Sequence, residues 1–199
     1  MVQSGLVDRP HVSQYRLTAH LGLALIIFSC MLWFALDFLR GWESHQRASR
    51  PYLLLTNASI MTVFLMMLSG GFVAGTKAGF IMNTFPLMNG QWIPSGVWAM
   101  EPGWRNLFEN AVTVQFTHRA LALVVIVVLL ATFIKSRAEL FTTYGGWVIF
   151  ALVLQVGLGI SALVYVVPLA VGAGHQAGAV LLLSSTLYAA HVARKKIRR

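Results

Sequence analysis

Three histidines stand inside long apolar runs: His20 in RLTAHLGLAL, His118 in VQFTHRALAL and His175 in GAGHQAGAVL. Each lies a few residues inside one end of its run. An ionisable side chain in a hydrocarbon-embedded helix is costly, so it usually faces the bundle interior and marks a functional position. A single such histidine is readily explained as one that hydrogen-bonds a neighbouring helix. Three at one depth strain that explanation. Small residues cluster around two of them, Ala19 and Gly22 near His20, and Gly172, Gly174, Ala177 and Gly178 near His175. Removing side-chain bulk lets another helix or a flat ligand come close. Zinc favours a set of three or four ligands with thiolate or carboxylate among them, and no acid adjoins these histidines. Heme needs only axial ligands and an apolar slot, and two imidazoles at matched depth can hold one iron from both faces. His118 and His175 form the best such pair. Arg119, Arg105 and Lys77 fall near the same end and are candidates to pair with carboxylates of the macrocycle, beside the commoner role of interfacial cation.

The elements that must carry these side chains are membrane spans. Of 199 residues, 57% are hydrophobic and 11% charged, with mean hydropathy +0.71, against about 45–50% and about 25% for soluble domains. Apolar runs near 17–39, 53–76, 114–134, 144–167 and 172–193 are each long enough to cross about 30 Å of hydrocarbon. The formal charge of +9 would suggest nucleic acid for a soluble protein. Here the cations gather instead in the loop from Arg40 to Arg50, at Lys135 and Arg137, and in the tail from Arg194 to Arg199. These are alternate connections, so the positive-inside rule places all three in the cytoplasm and excludes a nucleic-acid partner. The first, third and fifth spans then run from outside to inside, which brings His20, His118 and His175 to one level near the outer leaflet. His11, His45 and His191 fall in polar or terminal segments, where solvated or interfacial roles are the default.

The outer loop from Lys77 to Thr113 is rich in Trp, Pro, Gly and Met. Its Trp92, Trp98 and Trp104 suit the membrane interface, and Pro102 and Gly103 punctuate the start of a short helix over 104–110. The loop serves as a cap over the helix ends or helps to shape a ligand site. Cys30 is the single cysteine, so the chain holds neither an internal disulfide nor a cysteine metal cluster. The N-terminal segment lacks the basic-then-apolar order of a secretory signal. AHLGLALII also echoes GHQAGAVLLL, the trace expected of a duplicated bundle.

The segments GGFVAGTKAGFIMNTFPLMNGQWIP, RNLFENAVTVQFTHR and LQVGLGISALVYVVPLAVGAGHQAGA, with VSQYRLTAHLG ahead of them, resemble the heme A synthases of bacteria and mitochondria over essentially the whole chain. The resemblance implies an oxidoreductase of eight membrane helices in two four-helix halves. It implies oxidation of a ring methyl group of heme O to the formyl group of heme A, for cytochrome oxidase biogenesis, in the bacterial or mitochondrial inner membrane. His118 and His175 match the axial ligands of the heme b held by the C-terminal half, and His20 matches a ligand for the substrate heme. By this resemblance the chain starts just before the fourth helix. The second-helix histidine and a nearby catalytic glutamate of the family then have no counterpart, so no catalytic residue is assigned. Glu43, Glu101, Glu109, Glu139 and Asp37 all lie elsewhere.

The expected fold is therefore an all-α polytopic membrane bundle of five spans. Residues 1–40 would hold the last helix of an incomplete first half, and residues 41–199 a four-helix heme b-binding half. Expected partners are heme O, membrane lipid, and an N-terminal half or a second copy; the chain alone is expected to be inactive. Two other readings compete: a b-type electron-transfer subunit without synthase activity, and an assembly factor whose histidines only pack helices.

Overall fold

The computed structural model describes residues 13–40, 48–138 and 142–194. His11, Glu43, His45, Arg47, Glu139, Lys195, Lys196, Arg198 and Arg199 lie outside them. Helices α1 (Gln14–Arg40), α2 (Arg50–Gly75), α4 (Ala111–Ala138), α5 (Thr142–Val164) and α6 (Leu169–Arg194) are each long and apolar enough to cross a membrane. A single helical turn, α3 (Asn106–Glu109), precedes α4. The chain is an integral membrane protein of all-helical class.

The helices begin a few residues before the hydropathic runs because polar groups cap them. The Ser49 hydroxyl accepts from the Tyr52 backbone N–H at the start of α2, with Pro51 in the first turn. Asn110 does the same for α4, its Oδ1 accepting from the N–H groups of Val112 and Thr113 at 3.0 and 3.4 Å. Hydropathy alone does not register such caps. α5 ends in a Schellman arrangement, with Val167 N–H donating to the Ala162 carbonyl and Val166 N–H to that of Leu163. Two valines occupy the left-handed positions of this turn, at φ 60° and 52°, where β-branched residues are strained.

α2, α4, α5 and α6 form a closed ring in which α2 packs on α4, α4 on α5, α5 on α6 and α6 on α2. α4 and α6 are consequently diagonal. Val63, Leu129, Val148, Leu183 and Leu187 fill the interior. A buried Ser59–Thr132 hydrogen bond of 2.8 Å joins α2 to α4, the kind of polar link that holds helices together where no hydrophobic driving force separates protein from lipid. α1 lies outside the ring against α2 and α6.

Contacts at the helix ends establish an up-and-down arrangement. At one end Gln14 of α1 meets Gly75 of α2, Tyr15 Oη donates to Glu109 at 2.9 Å, and Asn83 Nδ2 donates to the Leu163 carbonyl of α5 at 2.8 Å. At the other, His191 of α6 bonds Asp37 of α1 at 2.7 Å, and Arg194 Nη2 bonds the Asn57 side chain of α2. Arg194 also lies 5.2 Å from the centre of the Trp33 ring. The solvated role expected of His191 is therefore incorrect. Its side chain is 2% exposed and packs edge-on to Trp33 at 5.0 Å, because α1 closes over that face of α6.

The loop between α2 and α4 is an ordered cap. Buried Asn106 donates to the carbonyls of Met100 and Gly103 and accepts from the Met100 N–H. Asn89 and Gly90, at φ 50° and 84°, make the two-residue turn between Met88 and Gln91, whose backbones exchange hydrogen bonds of 2.9 and 3.1 Å. The short helix expected over 104–110 is a 3-10 turn, Gly103–Arg105, running into α3. Trp92, Trp98 and Trp104 are exposed, as membrane-interface residues require.

Candidate functional site

Histidine level follows from helix starts. His20 is six residues from Gln14, His118 seven from Ala111 and His175 six from Leu169, so at 1.5 Å per residue all three lie about 9–10 Å below the capped end. Their directions differ. His118 points from α4 towards α2, where its Nδ1 is 2.6 Å from Ser69 Oγ and its Cε1 would be 3.6 Å from a Cβ at Gly70. His175 points from α6 onto Gly159 of α5, where a Cβ would lie 2.8 Å from its Cε1. Both rings are half-buried and lie on diagonal helices of the ring.

His20 does not join them. It is exposed on α1 beside Leu23, Ile27 and Met31, whereas Thr18, Gly22 and Leu25 are buried. Two residues along a helix turn the side chain by about 200°, which sets His20 on the face opposite the one that meets the ring.

Buried polar atoms around the pair are unsatisfied. His175 Nδ1 and Gln155 Oε1 are buried with no hydrogen-bond partner, and a buried polar atom without one is a sizeable liability. Among the described residues no group of three or more His, Cys, Asp or Glu side chains is arranged to hold a bare metal ion. Two imidazoles on diagonal helices, with glycine beside each ring, would suit a flat macrocycle held through both of them.

Two of the three cations considered for carboxylates are already engaged. Arg119 Nη2 and Nη1 donate to the carbonyls of Met82 and Thr84 at 2.7 and 3.0 Å, and Gln115 Nε2 joins them on Met82 at 3.1 Å. These bonds fasten the loop over the histidine end. Arg119 Nε remains buried without a partner, and the two carbonyl bonds use only two of the five N–H groups of the guanidinium. Arg105 forms a two-nitrogen pair with Glu109, at 2.9 Å from Nε and 2.5 Å from Nη2. That pair and the Tyr15 hydroxyl hold the Glu109 carboxyl below its ordinary range, with the Arg105 hydrogen bond the larger cause. Lys77 is exposed at the loop start.

Of the two roles open to the small residues near His20 and His175, the structure shows close helix packing for Gly22, Gly172 and Gly178. Gly172 and Gly178 open space for Val167 and for Gln155 and Leu158, and Gly22 meets Leu68, so they serve helix packing. The glycines that meet the imidazoles, Gly70 and Gly159, come from the neighbouring helices. Their signal was present as small residues interrupting apolar runs, in MLSGG and VGLGIS. No spacing rule ties those segments to a histidine some 16 or 48 positions away, as a helical repeat would within one segment.

The family model described as cytochrome oxidase assembly protein, COX15-CtaA, matches residues 1–187. The chain is 46% identical over 205 residues to a protein named heme A synthase from Nitrosospira multiformis, covering 98% of this chain and 57% of the relative. It is 46% identical over 209 residues to the heme A synthase of Paramagnetospirillum magneticum, covering 99% and 57%. It is 41% identical over 202 residues to heme A synthase COX15 of Bos taurus, covering 94% and 48%. The chain thus spans about half the length of the curated relatives it matches. No solved structure matches. With a family match over 187 residues and relatives above 40% identity along nearly its whole length, this chain belongs to the COX15-CtaA family of cytochrome oxidase assembly proteins.

Proposed function

We propose that the chain is the heme b-holding part of a heme A synthase, an oxidoreductase that converts heme O to heme A. The observation that carries this reading is the placement of His118 and His175 at one depth on diagonal helices of a four-helix ring. His118 and His175 would be the axial ligands, Gly70 and Gly159 would leave room beside the imidazoles, and the Arg119-fastened loop would exclude water from the capped end. A heme held by two imidazoles has no open coordination position, so it supplies one-electron transfer. His20, on the outward face of α1, would serve the substrate heme with residues that this chain does not bring to it. In this reading α1 belongs to a separate half from α2–α6, and the chain by itself does not convert heme O.

The test is complementation of a cell that lacks heme A synthase. A hybrid that completes this chain with the remaining segment of the Nitrosospira multiformis relative is expected to restore heme A, the chain alone is not, and His118→Ala or His175→Ala in the hybrid is expected to abolish restoration. A hybrid that holds heme b yet yields no heme A would favour an electron-transfer subunit and contradict the synthase reading.

A further inference from the structure

We propose that Ser69 is a positioning residue that fixes the tautomer of His118 and tunes the iron bound there, an inference that rests on the heme reading above. Ser69 Oγ has one hydrogen and three neighbours that could accept it, the Met66 carbonyl at 2.9 Å, the weakly accepting Met66 Sδ at 3.9 Å and His118 Nδ1 at 2.6 Å. A serine hydroxyl inside a helix commonly donates to a carbonyl in the preceding turn. The Met66 carbonyl is one, three residues back on α2. With its hydrogen committed to Met66, Ser69 Oγ can only accept from the imidazole. His118 then carries its proton on Nδ1, and the lone pair of Nε2 is left for an axial bond. The opposite arrangement, with Ser69 donating to Nδ1, would place the proton on Nε2 and block coordination through that atom.

The contact also bears on electronics. An imidazole that donates its distal N–H to an oxygen is a more basic ligand and is held in one ring orientation. A more basic ligand favours the ferric over the ferrous state. His175 has no hydroxyl on it: its ring hydrogen-bonds the Gln155 backbone on α5, while its Nδ1 is buried without a partner. The two imidazoles are therefore held differently, His118 by a side-chain hydroxyl and His175 by a backbone group. Gly70, next in sequence, keeps the space beside the His118 ring open, so Ser69–Gly70 forms a two-residue seat on α2 for a ligand carried by α4.

Two measurements on the full 199-residue chain in detergent decide the matter. In the heme-free chain, nitrogen NMR of labelled histidine is expected to show His118 protonated at Nδ1. A proton on Nε2 would overturn the proposal whether or not the chain takes up heme. In the heme-loaded chain, poised at the wild-type midpoint potential, Ser69→Ala is expected to raise the ferrous-to-ferric ratio roughly tenfold, the order of effect of removing an outer-shell partner, while keeping two-imidazole coordination. Ser69→Thr, which retains the hydroxyl, should restore the wild-type ratio. An unchanged ratio in Ser69→Ala would overturn the proposal. Failure of the wild-type chain to bind heme through two imidazoles would instead count against the heme reading itself, and the NMR result would still decide the Ser69 assignment.

Discussion

At the residue scale, the site depends on what is absent beside each imidazole as much as on the imidazoles. A methyl group at Gly159 would stand 2.8 Å from His175 Cε1, closer than real side chains approach, so the ring must turn or α5 must retreat. Gly159→Ala is expected to weaken heme retention without removing either ligand. Overpacking of this kind also costs about 1–3 kcal/mol of stability. Gly157→Ala, which meets nothing within 4 Å, is the matched control. Heme content per chain after purification checks both, and equal content in the two variants would contradict the geometry. The histidines themselves were legible in sequence because an ionisable residue in an apolar run stands out. Ser69, Gly70 and Gly159 were not, since small residues in an apolar helix acquire meaning only once the helix facing them is known.

At the element scale, hydropathy located every span and the ends of α1, α2 and α6 to within one residue, but it started each helix two or three residues late. The missing information was chemical: the Ser49 and Asn110 caps, and the turn at the end of α5. Val166 occupies a left-handed position that costs an L-residue roughly 1–2 kcal/mol, and it is 51% exposed, so little packing would be lost on truncation. Val166→Gly is expected to stabilise the chain by about 0.5–1 kcal/mol, the strain relieved less the entropy glycine adds to the unfolded chain. A thermal-unfolding series in detergent would register this as a higher midpoint; a lower one would show that Val166 is held by contacts that outweigh its backbone. The α1 start is tied to the loop through Tyr15, Glu109 and Arg105. Because folding lowers the affinity of Glu109 for a proton, its contribution is fully present above the ordinary carboxylate range. It is lost as pH falls through the depressed folded value. Glu109→Gln should remove that acid-side dependence together with the modest stability the partly exposed pair supplies near neutral pH, as a thermal-unfolding series against pH would show.

At the scale of the whole molecule, a ring of four helices with a fifth packed outside it separates two kinds of histidine. His118 and His175 turn into the ring, while His20 turns away from it. The sequence held the common depth of all three, because depth follows from span direction and distance along each helix. It did not hold the divergence of His20, which depends on the face that α1 buries against α2 and α6. The expected cytoplasmic placement of Lys135, Arg137 and the C-terminal cations gives a further outcome: a reporter fused after Arg199 should be active only if it works in the cytoplasm, and activity of a reporter restricted to the opposite side would reverse the orientation assigned to the bundle.

The central claim is that His118 and His175 together hold one heme, and the most direct measurement is the ferric electron paramagnetic resonance spectrum of the purified 199-residue chain loaded with heme. The account predicts one low-spin heme per chain with two imidazole ligands, and loss of that signal in both His118→Ala and His175→Ala but not in His20→Ala. A two-imidazole signal that survives either of the first two replacements would contradict it.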